Sequence, residues 1–269
     1  MLMLLFGHVC AIAIGISLGL MGGGGSILAV PILVYVLGMG AKSAIAISLG
    51  SVGVVSLIGA VLHWQKGNVR IDIVLMFAPA AMVGAYLGTR LAGLPWISES
   101  IQLFCFSVTM LLVSSVMIFK GRRKHQGTRT RQSSETSTLE RRERDRSLAH
   151  KLIIPIEGLG IGVLTGFVGI GGGFAIVPAL VLLTKIPMKQ AVGTSLLIIT
   201  LNSVTGFLGY LDQTDINWLL ASTFTAAACL GILLGSHLNK IMNANTLQTG
   251  FGYFVLSFAV LMLMAQFSF

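Results

Sequence analysis

Charged side chains are nearly absent from most of this chain, and that absence limits the folds available to it. Outside positions 120–151 it carries only seven Lys or Arg and five Asp or Glu, while 55% of all residues are hydrophobic. Long apolar runs with so few charges predict membrane-spanning helices, because the lipid interior offers no hydrogen-bond partner to an open backbone. We therefore expect an all-α integral membrane protein.

The basic residues are concentrated in one stretch. From Lys120 to Lys151 there are eleven Lys or Arg and four Asp or Glu, which gives +7 of the formal net charge of +9. Such a stretch beside a membrane helix is typical of the cytoplasmic face, where it meets anionic lipid. We predict a basic cytoplasmic linker over 123–147 and no binding of nucleic acid.

The two halves of the sequence align without a gap when one is shifted by 147 positions. The glycine-rich run GLMGGGGSILAVP at 19–31 aligns with GFVGIGGGFAIVP at 166–178, and GAYLGTRL at 84–91 aligns with GILLGSHL at 231–238. We interpret this as a tandem duplication, with a first transmembrane repeat at 1–122 and a second at 148–269.

Each repeat contains five apolar segments. They are 2–20, 26–39, 44–63, 72–92 and 100–119 in the first repeat, and 152–168, 173–185, 190–210, 217–238 and 247–267 in the second. A helix needs about 20 residues to cross the hydrocarbon, and the second segment of each repeat is shorter. We predict that it forms a broken or re-entrant pair with the segment before the glycines, beside three full spans.

The orientation of the repeats follows from the distribution of charge. An odd number of crossings per repeat inverts the second repeat and places 16 basic residues on the linker side, with only Lys42 and Arg90 on the other. An even number gives 13 and five. Because cytoplasmic loops carry the excess of Lys and Arg, the count favours inverted repeats.

The two glycine clusters are the predicted substrate site. Glycine lets a backbone turn sharply and approach a ligand, and a helix that begins there directs free N–H groups and a positive dipole end at an anion. Inverted repeats with interrupted helices are typical of secondary transporters.

The predicted residues are Gly22, Gly24, Gly25 and Ser26, with the second helix of that repeat starting at Ser26, and Gly169, Gly171, Gly172 and Gly173. The alternative is close helix packing, which we expect for Gly15/Gly19, Gly84/Gly88, Gly162/Gly166 and Gly231/Gly235.

Polar residues of the third segments are predicted to complete the site. They are Ser48, Thr194, Ser195 and Asn202, although Ser and Thr in such helices often bond their own backbone. Neutral donors suit an oxyanion that accepts several hydrogen bonds. Glu157 is a candidate for proton coupling, because a carboxyl within an apolar segment is a functional candidate. We interpret His63, Arg90 and His237, at segment ends, as interfacial anchors.

Other classes of function have little support in the sequence. The three cysteines, Cys10, Cys105 and Cys229, lie within apolar segments and predict neither a disulfide framework nor a metal site. An intramembrane enzyme would need a nucleophile and base or metal ligands, and neither H-E-x-x-H nor G-x-S-x-G occurs. We expect no cofactor. An anion channel that uses the same site remains the alternative to a carrier.

The paired glycine motifs, with KSAIAISLGS, KQAVGTSLLI and GNVRID after them, resemble the sulfite exporter TauE/SafE family, also called the toluene sulfonate uptake permeases. The resemblance implies a multi-pass protein of the bacterial cytoplasmic membrane that moves small sulfur-containing anions such as sulfite or organosulfonates. The family is usually described with eight spans built from a four-span unit, which disagrees with ten segments unless the short ones are re-entrant. We predict a secondary transporter working by alternating access.

Overall fold

The computed structural model describes residues 2–126, 140–168 and 186–238, together with isolated positions within 173–180 and 253–264. These residues form helices, and none of them lies in a strand. The long helices are α1 (Leu2–Met21), α3 (Ala41–Trp64), α4 (Ile71–Ala92), α5 (Glu99–Gln126), α6 (Glu140–Val168), α7 (Met188–Tyr210) and α8 (Trp218–Leu238). Three short turns, Gly24–Leu28, Ala29–Pro31 and Ile32–Val36, follow one another as a single helical segment that we call α2.

Four of these helices are long and apolar enough to cross a membrane. They cover Ala41–Trp64, Ile71–Ala92, Lys189–Tyr210 and Trp218–Leu238, and shorter apolar helices cover Leu5–Met21, Gly25–Val36, Ser100–Leu112 and Ile154–Val168. The prediction of an all-helical protein with several membrane-spanning helices is confirmed for the described part of the chain. The predicted segments 173–185 and 247–267 lie largely outside it.

The predicted linker, 123–147, is helical at both of its ends. Helix α5 continues to Gln126 and α6 begins at Glu140, so that helix extends into both ends of the predicted 123–147 stretch. Residues 127–139 lie outside the described part of the chain.

Glycines join the helices into two closely packed pairs, α1 with α8 and α4 with α6. A Cβ atom on Gly15 would overlap the carbonyl oxygen of Ala228, and one on Gly162 would overlap that of Ala81. Without a side chain the backbones come close enough for extensive dispersion contact and Cα–H···O interactions. Further along, Gly19 meets Ile232 and Gly166 meets Ala85. The packing role proposed for these glycines is therefore the one that the structure shows.

The order of the contacts gives the direction of each helix. In both glycine-packed pairs, residue numbers rise in the same direction along the two helices from one contact to the next. Helix α1 is therefore parallel to α8, and α4 is parallel to α6. Helices α3 and α7 cross in the buried core with the opposite order, because Gly50 faces Phe207 while Gly53 faces Ser203. These two central helices are antiparallel.

The helix directions define two ends of the molecule. The loop 65–70 between α3 and α4, the start of α6 and the start of α7 lie together at what we call the linker end. The amide of Arg70 there donates to Oγ1 of Thr194 at 3.0 Å. The opposite end contains the start of α3 and the loop 211–217, where the hydroxyls of Ser43 and Thr214 are 2.6 Å apart.

Candidate functional site

The first glycine break lies between α1 and α2. The amide of Gly22 still donates to the carbonyl of Leu18 at 2.8 Å, and the chain then turns away with φ +72° at Gly22. Residues with a Cβ rarely adopt that conformation, which explains the glycine. Helix α2 begins at Gly24; the prediction that it starts at Ser26 is wrong, because the 3₁₀ turn draws Gly24 and Gly25 into the helix.

The two breaks meet inside the protein. Gly23 of the first and Gly173 of the second lie so close that a Cβ atom on either would overlap the backbone of the other. Gly173 also lies against Ile199 of α7, whose Cδ1 would be 2.5 Å from such a Cβ. The other predicted glycines of the second break, Gly169, Gly171 and Gly172, lie outside the described residues.

Two fully buried serines hold the first break. The hydroxyl of Ser26 donates to the carbonyl of Gly23 at 2.8 Å. The hydroxyl of Ser195, from α7, lies 2.7 Å from the carbonyl of Gly22 and 2.8 Å from that of Val192. Both hydroxyls therefore face carbonyl oxygens, and the amide of Ser26 also donates to the carbonyl of Gly23 at 3.3 Å. The amides of Gly24 and Gly25 come before this first hydrogen bond and have no acceptor within α2.

The other predicted residues of the third segments are separated. Thr194 is next to Ser195 in sequence, but it accepts the hydrogen bond from Arg70 and so fastens the loop 65–70 to α7. Ser48 is fully buried in α3. The structure thus brings Ser195 to the first break and uses Thr194 at the linker end.

Asn202 links α7 to α6. Its Nδ2 donates to Oγ1 of Thr165 at 2.6 Å, and the Thr165 hydroxyl in turn donates to the carbonyl of Gly162. Its Oδ1 is buried and has no hydrogen-bond partner in the described part of the chain. Sequence analysis missed Thr165. The available signal was that Asn202 and Thr165 are polar, whereas the residues that align with them in the other half, Val55 and Leu18, are apolar.

Glu157 lies away from the breaks. It is half-buried in α6, next to Gly158, which packs against the carbonyl of Phe77 on α4. Glu157 and Val168 are eleven positions apart on this helix, about 16 Å at the usual helical rise. Glu157 stays a candidate for proton coupling, at a position between the linker end and the second glycine run.

Of the three residues interpreted as interfacial anchors, one is placed differently. Arg90 is exposed and lies over the ring of Tyr86, and His237 is also exposed. His63, by contrast, is only 5% exposed. The interpretation of His63 as an interfacial anchor is wrong, because the start of α7 covers it.

The carbonyl end of α6, just before the second break, is held by two side chains that sequence analysis missed. Nε2 of Gln102 donates to the hydroxyl of Tyr210 at 3.0 Å and to the carbonyl of Phe167 at 3.3 Å. The Tyr210 hydroxyl donates to the same carbonyl at 3.2 Å. These bonds hold the last described turn of α6 to α5 and α7. Gln102 is the single amide of the fifth apolar segment, which was the available signal.

A cavity of about 520 Å³ lies elsewhere, between α3, α7 and α8 towards the opposite end. Apolar side chains such as Phe207 and Trp218 form most of its wall, and the hydroxyls of Ser51 and Thr225 bond to each other there at 2.7 Å. None of the predicted substrate residues that the structure describes lines it. In this conformation the described parts of the two breaks are closed against each other.

Comparison with known proteins gives a consistent result. The family model described as sulfite exporter TauE/SafE matches residues 8–262. A probable membrane transporter protein of Xylella fastidiosa (strain Temecula1) is 33% identical over 92% of this chain and 90% of its own length. The probable membrane transporter protein YdhB of Bacillus subtilis is 26% identical over 85% of this chain and 87% of its own. No solved structure matches the chain significantly.

Proposed function

Because the chain belongs to the sulfite exporter TauE/SafE family, we propose that it moves a small anion of the sulfite or organosulfonate type across the bacterial cytoplasmic membrane. Its relatives are named as membrane transporters rather than enzymes, and its apolar helices make it a multi-pass membrane protein. The proposal adds a substrate class, a site at the glycine breaks and a mechanism of alternating access.

One observation carries the position of the site. Gly23 and Gly173 belong to runs 147 positions apart that align with each other, and their backbones are in contact. Two helix breaks that meet in a protein core form a place where amides from both halves can converge. Packing alone explains glycines that face a neighbouring helix, but it does not explain two breaks that face each other.

Contacts between helices support inverted repeats. Gly15 meets Ala228 as Gly162 meets Ala81, and each residue of one contact is 147 positions from its counterpart in the other. Helices α3 and α7 also align at this shift, and they run in opposite directions. A two-fold axis within the membrane plane relates such halves. We propose that it passes near the contact of the two breaks.

The closed site can offer hydrogen bonds to an anion once it opens. Moving the first break away from α7 would free the hydroxyl of Ser195 from the carbonyl of Gly22, whereas the hydroxyl of Ser26 bonds the carbonyl of Gly23 within the break itself. The amides of Gly24 and Gly25 at the start of α2 would then face the same space. We place the substrate oxygens there, with Asn202 and Ser48 at the edges of the site.

The arrangement of charge supports the proposed orientation. The loop 65–70 carries Lys66 and Arg70 at the end of the molecule where α6 begins, next to the basic linker. Lys42 and Arg90 belong to the opposite end. With cytoplasmic loops rich in Lys and Arg, the linker end is the cytoplasmic one in our proposal.

The proposal is tested by measuring flux into proteoliposomes. The panel contains sulfite, organosulfonates, sulfate and carboxylates, each with and without an imposed pH gradient. We expect saturable uptake of one or more sulfur oxyanions, and counterflow of labelled substrate against unlabelled substrate. Conductance far above carrier rates without counterflow would instead support the anion channel, and no flux of any anion would reject transport of this class.

A serine variant tests the site. Ser195→Ala removes a hydroxyl that contacts the first break, whereas Ser107→Ala removes an equally buried hydroxyl that bonds only Leu103 of its own helix, α5. We expect at least a tenfold lower flux for Ser195→Ala and near wild-type flux for Ser107→Ala. Equal flux in both variants, at equal protein incorporation, would remove Ser195 from the site.

A further inference from the structure

His63 is a buried titratable residue that the proposed mechanism has not used. It lies in the last turn of α3, 5% exposed, and neither ring nitrogen has a hydrogen-bond partner among the described residues. Burying a polar ring without a partner costs free energy. The unpaired ring therefore suggests that His63 meets a proton or a water molecule in another conformation of the protein.

One turn of α7 joins His63 to the first break. A Cβ atom on Gly193 would be 2.9 Å from Cβ of His63, so the histidine lies directly against this turn. The preceding residue, Val192, contacts Gly22, and Ser195 hydrogen-bonds the carbonyl of Gly22. The first break and His63 therefore lie against the same turn of α7.

The alignment of the two halves gives position 63 a counterpart with a known contact. His63 aligns with Tyr210, and Leu20 aligns with Phe167, at the shift of 147. The Tyr210 hydroxyl donates to the carbonyl of Phe167, in the last described turn of α6 before the second glycine run. One half thus has a hydroxyl that does not titrate near neutral pH at this position, and the other has an imidazole that does.

The charges around His63 oppose a proton on its ring. Lys66, on the loop that follows α3, repels a cation at this position. On α7 the charged residue close to this turn is Lys189, which is exposed, and Asp72 of α4 is paired with Arg70 at 2.7 Å. A buried imidazolium in these surroundings would be costly, so the closed conformation favours the neutral ring.

We propose that His63 is a positioning residue through which protons at the linker end control opening of the first break. With the ring neutral, α3, α7 and the break stay closed. A proton from the linker-side solution binds a ring nitrogen, and the charged ring favours the conformation in which water reaches it. The proton returns to the same solution when the break closes. This inference rests on the transport function proposed above.

The test is the dependence of flux on pH at the linker end. Vesicles of known orientation are assayed between about pH 5.5 and 8 on that side, the range in which histidine titrates. We expect wild-type flux to change several-fold and His63→Gln to show a flat profile. His237→Gln, which alters an exposed histidine at the end of α8, should keep the wild-type profile. A wild-type profile in His63→Gln would overturn the proposal.

A second variant and a measurement without substrate keep the inference independent of transport. If His63→Gln is not incorporated, His63→Tyr installs the residue that the second half carries, and it too should show a flat profile. In detergent, acidification should lower the Tm of the wild type more than the Tm of the variant. The imidazole of His63 is buried in its neutral form and binds a proton more easily in the unfolded protein, whereas the side chain of the variant does not bind one. Absence of this difference would overturn the role of His63, even if the wild type transports no anion of the panel.

Discussion

Glycines at the helix pairs and glycines at the breaks have different structural roles in this molecule. Gly162 has helical geometry, and the carbonyl of Ala81 on α4 occupies the place of its missing side chain. Gly22 instead has φ +72°, and Gly23 faces a glycine of the other break. The first kind allows two backbones to approach, while the second allows one backbone to turn.

Gly25 shows why the distinction matters for experiments. It was predicted to belong to the substrate site, but a Cβ atom there would overlap the carbonyl of Ile14 and lie 2.9 Å from Cβ of Ser17. A leucine at this position would push α2 away from α1, so loss of transport would not identify a substrate contact. Gly25 therefore acts at least as a packing glycine within the break.

The largest expected effect concerns the helix pairs. Gly162→Leu would force α6 away from α4, and we expect a loss of stability on the order of 3 kcal/mol or more, because the obstacle is backbone that cannot repack. The matched control is Gly160→Leu on the same helix, where no atom lies within 4 Å. Size-exclusion profiles and Tm in detergent measure both. Similar Tm values would mean that α4 and α6 are not packed as described.

An intermediate effect is expected at the first break. Gly22→Ala places a Cβ at φ +72° and within 2.7 Å of Cγ1 of Val192. Gly38→Ala has nearly the same conformation, φ +67°, but nothing within 4 Å. Both share a conformational cost of about 1–2 kcal/mol, yet only Gly22→Ala should lose most of its flux in proteoliposomes. Equal flux in the two variants would show that the contact between Gly22 and Val192 does not matter for transport.

The smallest effect concerns the end of α6. Tyr210→Phe removes a fully buried hydroxyl that bonds Gln102 and Phe167, and we expect a loss of about 1–2 kcal/mol, or a few degrees in Tm. Tyr35→Phe, at a position that is 43% exposed on α2, should leave Tm unchanged. If the two variants melted alike, the end of α6 would depend on Gln102 alone.

Much of the fold could be predicted because hydropathy and local backbone chemistry control it. The helices α3, α4, α7 and α8 lie within two or three residues of the predicted segments, and the first break falls at the predicted glycines. The roles of Gly15 and Gly162 were also predictable, because small residues four apart on an apolar helix are typical of close helix contacts.

The composition of the site was less predictable. Thr194 and Ser195 are adjacent and chemically alike, yet one fastens a loop and the other contacts the first break, because successive residues of a helix point about 100° apart. Which of the two faces the break depends on how α7 is rotated against its neighbours. No property of either residue alone contains that information.

By itself, the sequence determined that the chain enters a membrane as helices. It also determined that the chain breaks after α1, where glycine permits a positive φ. Both follow from burial in lipid and from backbone sterics, which act over short stretches of sequence. Only the tertiary structure decided that Gly23 meets Gly173, that Asn202 reaches Thr165 and that His63 is covered by α7. Each of these contacts joins residues far apart in the chain. Their existence depends on the relative rotation and direction of whole helices, which the packing of many side chains sets together.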